Sequence, residues 1–316
     1  MSKQRKRPLV KTKETNRKKS KSGSGSKRKN TIDSRVAIEH SGFLIEFANG
    51  SAIKNLFGRL KPLYEEMVLV CTDSGIRSNQ MDASCISMVE VFIDPRRDTD
   101  AVTFYQCDRP ISLGLSLTSI NEFFKACSPN KRVRMYITEE SATPSLLTFE
   151  FGDDDQYSTW QVKLLDISHD PDLSIPECDY KVHVEMDADI FDKAVSMCQK
   201  VSSESGTINL STISNAEEPE FRIDAVSDDL KSGGFVFKDT QNRKSDTDDE
   251  MVVVKIKSNI ELGFAGTYMS VFSKMQVLSE RVNLYIGDDV PAKLVYDLNG
   301  MGSVTFHIAP KISEEI

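Results

Sequence analysis

Seven cationic side chains, Lys54, Arg59, Lys61, Lys125, Lys193, Lys200 and Lys274, fall on the polar sides of segments whose apolar residues recur at helical spacing. Cations set along helix faces, with no nucleophile, base or metal ligand beside them, can attract the phosphates of a polyanion such as DNA without reading its bases. Lys and Arg are also good helix formers that solvate an exposed face, and that plain explanation serves for any one of them. It serves the set less well, because the body of the chain is acidic. Off-core acids in these segments are few, chiefly Glu122 and Asp192, with Asp187 and Asp189 at a helix start, where negative charge suits the helix dipole.

Two acidic clusters, Asp153-Asp154-Asp155 and Asp246 to Glu250, have the composition of a metal-dependent nuclease site. Both fall at expected loop tips, where acids are ordinarily solvated. The four histidines (40, 169, 183, 307) are scattered, and no P-loop, H-E-x-x-H or nucleophile signature occurs. The nuclease reading is therefore the weaker one; the expectation is a non-enzyme with no metal and no cofactor. The six cysteines (71, 85, 107, 127, 178, 198) show no C-x-x-C spacing and mostly lie in apolar stretches, which suits reduced buried thiols.

The elements that must position the cations are partly written twice. Ile111 to Ile137 and Ile260 to Ile286 align without a gap over 27 residues and share ten identities, in the pattern of an Ile-x-Leu-Gly strand, a Thr helix start, Phe and Lys on the helix, and an Arg-Val-x-x-Tyr-Ile strand. Lys125 and Lys274 occupy the same place in the two copies. Helical periodicity marks Ile53/Leu56/Phe57/Leu60, Ile120/Phe123/Phe124/Cys127, Phe191/Ala194/Val195/Cys198 and a looser Met269/Phe272/Met275 set, two per copy. Short apolar runs between turn residues predict strands nearly everywhere else. Asp73-Ser74-Gly75, Ser232-Gly233-Gly234 and the tip Asp246 to Glu250 read as the turns. Asp166 to Asp179, rich in Asp, Ser and Pro, reads as a crossing linker that carries Leu173 and Ile175 beside Pro176.

The formal charge of −8 hides a division: residues 1–30 hold 13 Lys and Arg against one acid, and the remainder holds 27 against 47. With its Ser-Gly run at Ser22 to Ser26, the first stretch is expected to be a disordered basic arm suited to nuclear import, phosphate contact or simple solubility. No apolar run approaches the ~20 residues of a membrane span, and no signal-peptide core precedes the body, so a soluble intracellular protein without membrane contact is expected. The division is then arm 1–40, first domain 41–165, connector 166–179, and second domain 180–316 with a short tail.

Ordered motifs run through the body: Met81-Asp82-Ala83-Ser84-Cys85-Ile86-Ser87-Met88, Tyr105-Gln106-Cys107-Asp108-Arg109, Leu117-Thr118-Ser119-Ile120, Ile175-Pro176-Glu177, Asp289-Val290-Pro291, Met301-Gly302 and Ala309-Pro310-Lys311-Ile312. In this set and order the chain resembles the eukaryotic and archaeal sliding clamps, the proliferating cell nuclear antigen family, from about Phe43 to Ile312. The resemblance implies an α+β fold of two tandem clamp domains, with helices lining the inside and antiparallel sheets outside, closing as a homotrimer around duplex DNA. It implies a polymerase processivity factor, a clamp-loader ATPase and DNA polymerase as partners, and a nuclear location, or a cytoplasmic replication site if the host is a virus. It also implies a partner pocket of Met81, Ile86, Met88, Leu173, Ile175, Pro291, Ala309 and Pro310 for the two-aromatic PIP-box motif. A subunit edge would use Trp160 against the strand of Phe235 and Phe237. Cys85 stands where animal relatives usually carry His, and His307 where an aromatic ring is common, which bears on the partner spectrum. The sequence leaves open a heteromeric ring or a monomeric factor of the same kind.

Overall fold

The computed structural model describes residues 42–312 apart from 98–99, 127–129, 140, 142, 154, 169, 171–172, 203–205, 215–218, 228–231 and 241–250. Cys127 and the Asp246 to Glu250 cluster thus lie outside the described residues. The first half runs β1 (Phe43–Phe47), α1 (Ser51–Leu60), β2 (Glu66–Thr72), β3 (Gly75–Met81), β4 (Ser87–Ile93), β5 (Val102–Cys107), β6 (Ile111–Ser116), α2 (Leu117–Ala126), β7 (Val133–Tyr136), β8 (Leu146–Gly152) and β9 (Tyr157–Lys163). The second half repeats that order: β10 (Val182–Asp187), α3 (Ala188–Val201), β11 (Thr207–Ile213), β12 (Glu220–Val226), β13 (Ser232–Lys238), β14 (Val253–Ile256), β15 (Glu261–Ala265), α4 (Gly266–Ser273), β16 (Arg281–Ile286), β17 (Ala292–Asp297) and β18 (Gly302–Ile308). A 3-10 turn, Lys274–Val277, extends α4.

Strand pairing duplicates as faithfully as element order. In the first half the strands pair as β5-β1-β7-β8-β9 and as β4-β3-β2-β6; in the second they pair as β14-β10-β16-β17-β18 and as β13-β12-β11-β15. One joint fuses the halves: β18 lies antiparallel to β4, from Gly302 opposite Ile93 to Ile308 opposite Ser87, making a single nine-stranded sheet. Alternation of buried with half-buried or exposed residues along β12 and β16 is the period-two pattern of a sheet with one face on a core. The helices fill the other side of that core. Phe124 on α2 meets Phe149 and Phe151 edge-on at 6.0 and 5.2 Å, and Phe272 on α4 stacks on Phe306 at 4.3 Å.

The glycine shared by the two repeat copies has a physical reason in each. Leu165 donates its N–H to Gly114 O at 2.9 Å, and Lys311 donates to the equivalent Gly263 O at 2.8 Å, so the chain leaving each half is hung on the same strand position. A Cβ on Gly114 would collide with the Leu165 carbonyl.

Two expectations are corrected. Ser232-Gly233-Gly234 is not a turn but the start of β13, with Gly233 opposite Ala225 and Gly234 opposite Asp224. A Cβ at Gly234 would lie 2.6 Å from Asp224 Cβ, so close pairing explains that glycine. Buried thiols describe Cys71 and Cys198, but Cys85 is exposed and Cys107 and Cys178 are half-buried; all five are free.

Candidate nucleic-acid interface and partner groove

The helices form one row: α2 packs on α1, α1 on the 3-10 turn that follows α4, and α4 on α3. Each lays its apolar stripe on the sheets, Ile53, Leu56, Phe57 and Leu60 for α1 and Phe191, Ala194, Val195 and Cys198 for α3. Gly58 lets α1 and α2 approach closely, because the buried Asn121 side chain fills the space beside it and donates to Phe57 O and Leu117 O at 3.3 and 2.7 Å. Asp187 caps α3, accepting the Asp189 and Ile190 N–H groups at 2.9 Å each.

The seven cations do not share one environment. Lys61, Lys125, Lys193 and Lys200 are exposed, and Lys54 and Arg59 half-buried. Lys193 pairs with Asp189 one turn earlier at 2.5 Å, a solvated ion pair. Lys274 is held: its ammonium lies 2.8 and 2.9 Å from the two Asp192 carboxylate oxygens and 2.9 Å from Ser196 Oγ. This corrects the placing of Asp192 among the off-core acids. It is buried between α3 and α4, and also accepts the Ser273 hydroxyl at 2.6 Å. Burial pushes its carboxyl up, but Lys274 and the Ser273 hydroxyl outweigh this and hold it below the ordinary value. Among the described residues, Lys54, Arg59, Lys61, Lys125 and Lys200 form no ion pair.

On the far side of the nine-stranded sheet, strand register brings together residues expected in the partner pocket. Met81 lies opposite Met88, Met88 opposite His307, and His307 opposite Lys293, so these four form one row across β3, β4, β18 and β17. In the adjacent row Asn79, opposite Glu90, donates to Leu173 O at 2.7 Å, which fastens the connector over the sheet. His307, Lys293 and the nearby Ile175 N–H hold Glu90 below its ordinary value, against the effect of burial. Ile86, 37% exposed, accepts the Ala309 N–H at 3.0 Å, which brings Ala309 and Pro310 beside the turn. Pro291, half-buried, leads into β17. The eight expected groove residues thus lie on the β3–β4 turn, the connector, the start of β17 and the chain after β18.

Asp82 closes the turn between these residues. Its carboxylate accepts the N–H groups of Ser84, Ile86 and Ser87 at 2.9, 2.8 and 2.5 Å and the Tyr268 hydroxyl of α4 at 2.7 Å. This ties the β3–β4 turn to the helix row. Asp two residues before Ser is the signal of a side-chain-closed turn and was legible locally; Tyr268, 186 residues away, was not. Cys85 completes the turn with a φ of 56°.

Of the nuclease candidates, Asp153 is engaged by Lys131, and no group of three or more metal-ligating side chains occurs among the described residues. At the sheet ends, β9 and β13 each have one neighbour among the described strands. Trp160 on β9 is 40% exposed and packs on Phe123 at 5.4 Å, while Phe235 and Phe237 on β13 turn inward onto the core, leaving Val236 outward and 53% exposed.

Residues 43–173 match the family model described as "Proliferating cell nuclear antigen, N-terminal domain", and residues 174–311 match "Proliferating cell nuclear antigen, C-terminal domain". Among curated proteins, the proliferating cell nuclear antigen of Caenorhabditis elegans is 28% identical over 275 residues, covering 86% of this chain and 98% of that protein. Two consecutive family domains, in the order of the two duplicated halves, make this chain a member of the proliferating cell nuclear antigen family, the DNA sliding clamps that act as polymerase processivity factors.

Proposed function

We propose that three copies of this chain close head to tail around duplex DNA, using between chains the joint that β18 and β4 make within one. The duplicated topology supports this. β9 is the counterpart of β18 and β13 the counterpart of β4, and both are left with a free edge. Following the registers, Trp160 corresponds to Phe306, since each lies opposite matched residues of β8 and β17. Their partners correspond too: Trp160 packs on Phe123 as Phe306 packs on Phe272. Phe306 is fully buried because β4 lies beside it; Trp160 is exposed where no strand does. Across the inner joint Phe306 faces Val89, and the register of β13 puts Gly233 at the Val89 position. A larger ring facing a smaller residue conserves volume across the joint, and pairing the edges removes two strands prone to aggregation.

In such a ring the helix row faces the DNA, and Lys, a hydrated point charge on a flexible stem, permits sliding better than a bidentate Arg fork. The opposite face, with Met81, Ile86, Met88, Leu173, Ile175, Pro291, Ala309 and Pro310, receives PIP-box motifs of DNA polymerase and other replication proteins, with aromatic anchors on these apolar side chains and main-chain groups fixing register. A clamp-loader ATPase opens the ring. The protein acts without catalysis, at the nucleus or at a viral replication site. Native mass in solution tests the assembly: about three times 35.4 kDa is expected, and a single-chain mass at micromolar concentration would contradict it.

A further inference from the structure

The two halves repeat their frame but not their charge. Aligning the buried stripe of α1 with that of α3 puts Lys54, Arg59 and Lys61 of the first half at the places of Asp192, Met197 and Gln199 in the second. Lys125 and Lys274 remain matched in sequence. Lys125 closes α2 and is exposed, whereas Lys274 opens a 3-10 turn with its ammonium on Asp192 and Ser196. Met197 is 51% exposed on the same stripe as Lys193 and Lys200. The remaining second-half cations are Lys193, paired with Asp189, and Lys200.

We propose that Asp192 withdraws Lys274 from DNA, so that duplex DNA is attracted by the first-domain helices and passes the second-domain helices as a nearly neutral wall. This rests on the reading of the helix row as the DNA-facing surface. The pair is well placed for it. Asp192 is fixed by burial and by the Ser273 hydroxyl, so it competes with a passing phosphate for the same ammonium at no cost in ordering. A phosphate reaching Lys274 would also leave a buried carboxylate short of its counter-charge, which is unfavourable. Attraction then alternates from domain to domain around the channel, and no helical position of the duplex is held on all sides at once.

The test uses the full chain and a fluorescent 30-base-pair duplex, with binding measured by anisotropy over a series of salt concentrations. Lys125→Gln should weaken binding and lower the salt slope by about one, and Lys274→Gln should leave both as in wild type. Asp192→Asn should tighten binding and steepen the slope by about one, and adding Lys274→Gln to it should abolish that gain. Thermal melting checks that each variant folds. If Asp192→Asn does not fold, comparison of Lys125→Gln with Lys274→Gln decides; if Lys274→Gln alone does not fold, because it leaves the buried Asp192 carboxylate unpaired, Asp192→Asn with and without Lys274→Gln decides. Equal losses in those two variants, or a folded Asp192→Asn with wild-type slope, would overturn the proposal while leaving the DNA channel standing. A wild-type protein whose duplex binding is indifferent to salt, with Lys54→Gln and Lys125→Gln equally silent, would instead overturn the channel reading itself.

Discussion

Asp82 shows how one buried carboxylate can shape a surface it does not itself present. Burial raises its pKa, but the Ser87 N–H, the Tyr268 hydroxyl and the N–H groups of Ser84 and Ile86 together hold it below the ordinary 3.8. A depressed carboxylate stabilises the fold above its unfolded pKa and loses that contribution as pH falls through the folded value. The turn should therefore be intact at neutral pH and come away from α4 only below about pH 4, read as loss of the Ser84, Ile86 and Ser87 amide shifts in an NMR titration. Unchanged shifts down to the acid transition of the whole protein would refute it. Asp82→Asn replaces charge-assisted bonds by neutral ones and should cost about 1–3 kcal/mol in chemical denaturation. At this scale the sequence is unevenly legible. The apolar faces of α1 and α3 and the Asp187 cap follow from local spacing. The Asp192–Lys274 pair does not, because its members are 82 residues apart and both read as solvent-facing on their own helices.

Among the elements, the proposed assembly depends on the free edges of β9 and β13. Trp160→Ala should yield monomers in sedimentation, and a trimer that survives dilution would contradict the role given to that edge. Gly233→Val should also weaken assembly by crowding the ring that faces it. Combining it with Trp160→Phe recreates the Phe–Val pairing of the inner joint and should restore the trimer; failure of the double variant to recover would show that the two joints are not equivalent. The internal repeat made the duplicated topology legible from sequence, since matched strand–helix–strand units must pair alike. Some strands are less legible, among them β3 and the start of β13. β3 (GIRSNQM) is too polar to read as a strand and is held by its neighbours β2 and β4. The start of β13 carries Ser-Gly-Gly, a turn signature overridden by ladder pairing with β12.

At the scale of the whole molecule, charge separates the parts. In the proposed ring the acidic body disfavours DNA outside the channel, and the basic residues 1–30 add positive charge elsewhere in the chain. Deleting residues 1–36 should lower nuclear accumulation or salt-sensitive DNA binding while leaving the number of chains per assembly unchanged; loss of neither would reduce that stretch to a solubility role. None of the helices among the described residues is long and apolar enough to cross a membrane. The central claim is topological: the protein stays on DNA because it surrounds it. After loading onto a nicked circular plasmid and washing at about 1 M salt, where the Debye length falls to about 3 Å, the protein should remain bound and should leave when a restriction enzyme linearises the plasmid. Loss from the circle at high salt, or retention on the linear form with free ends, would contradict the account.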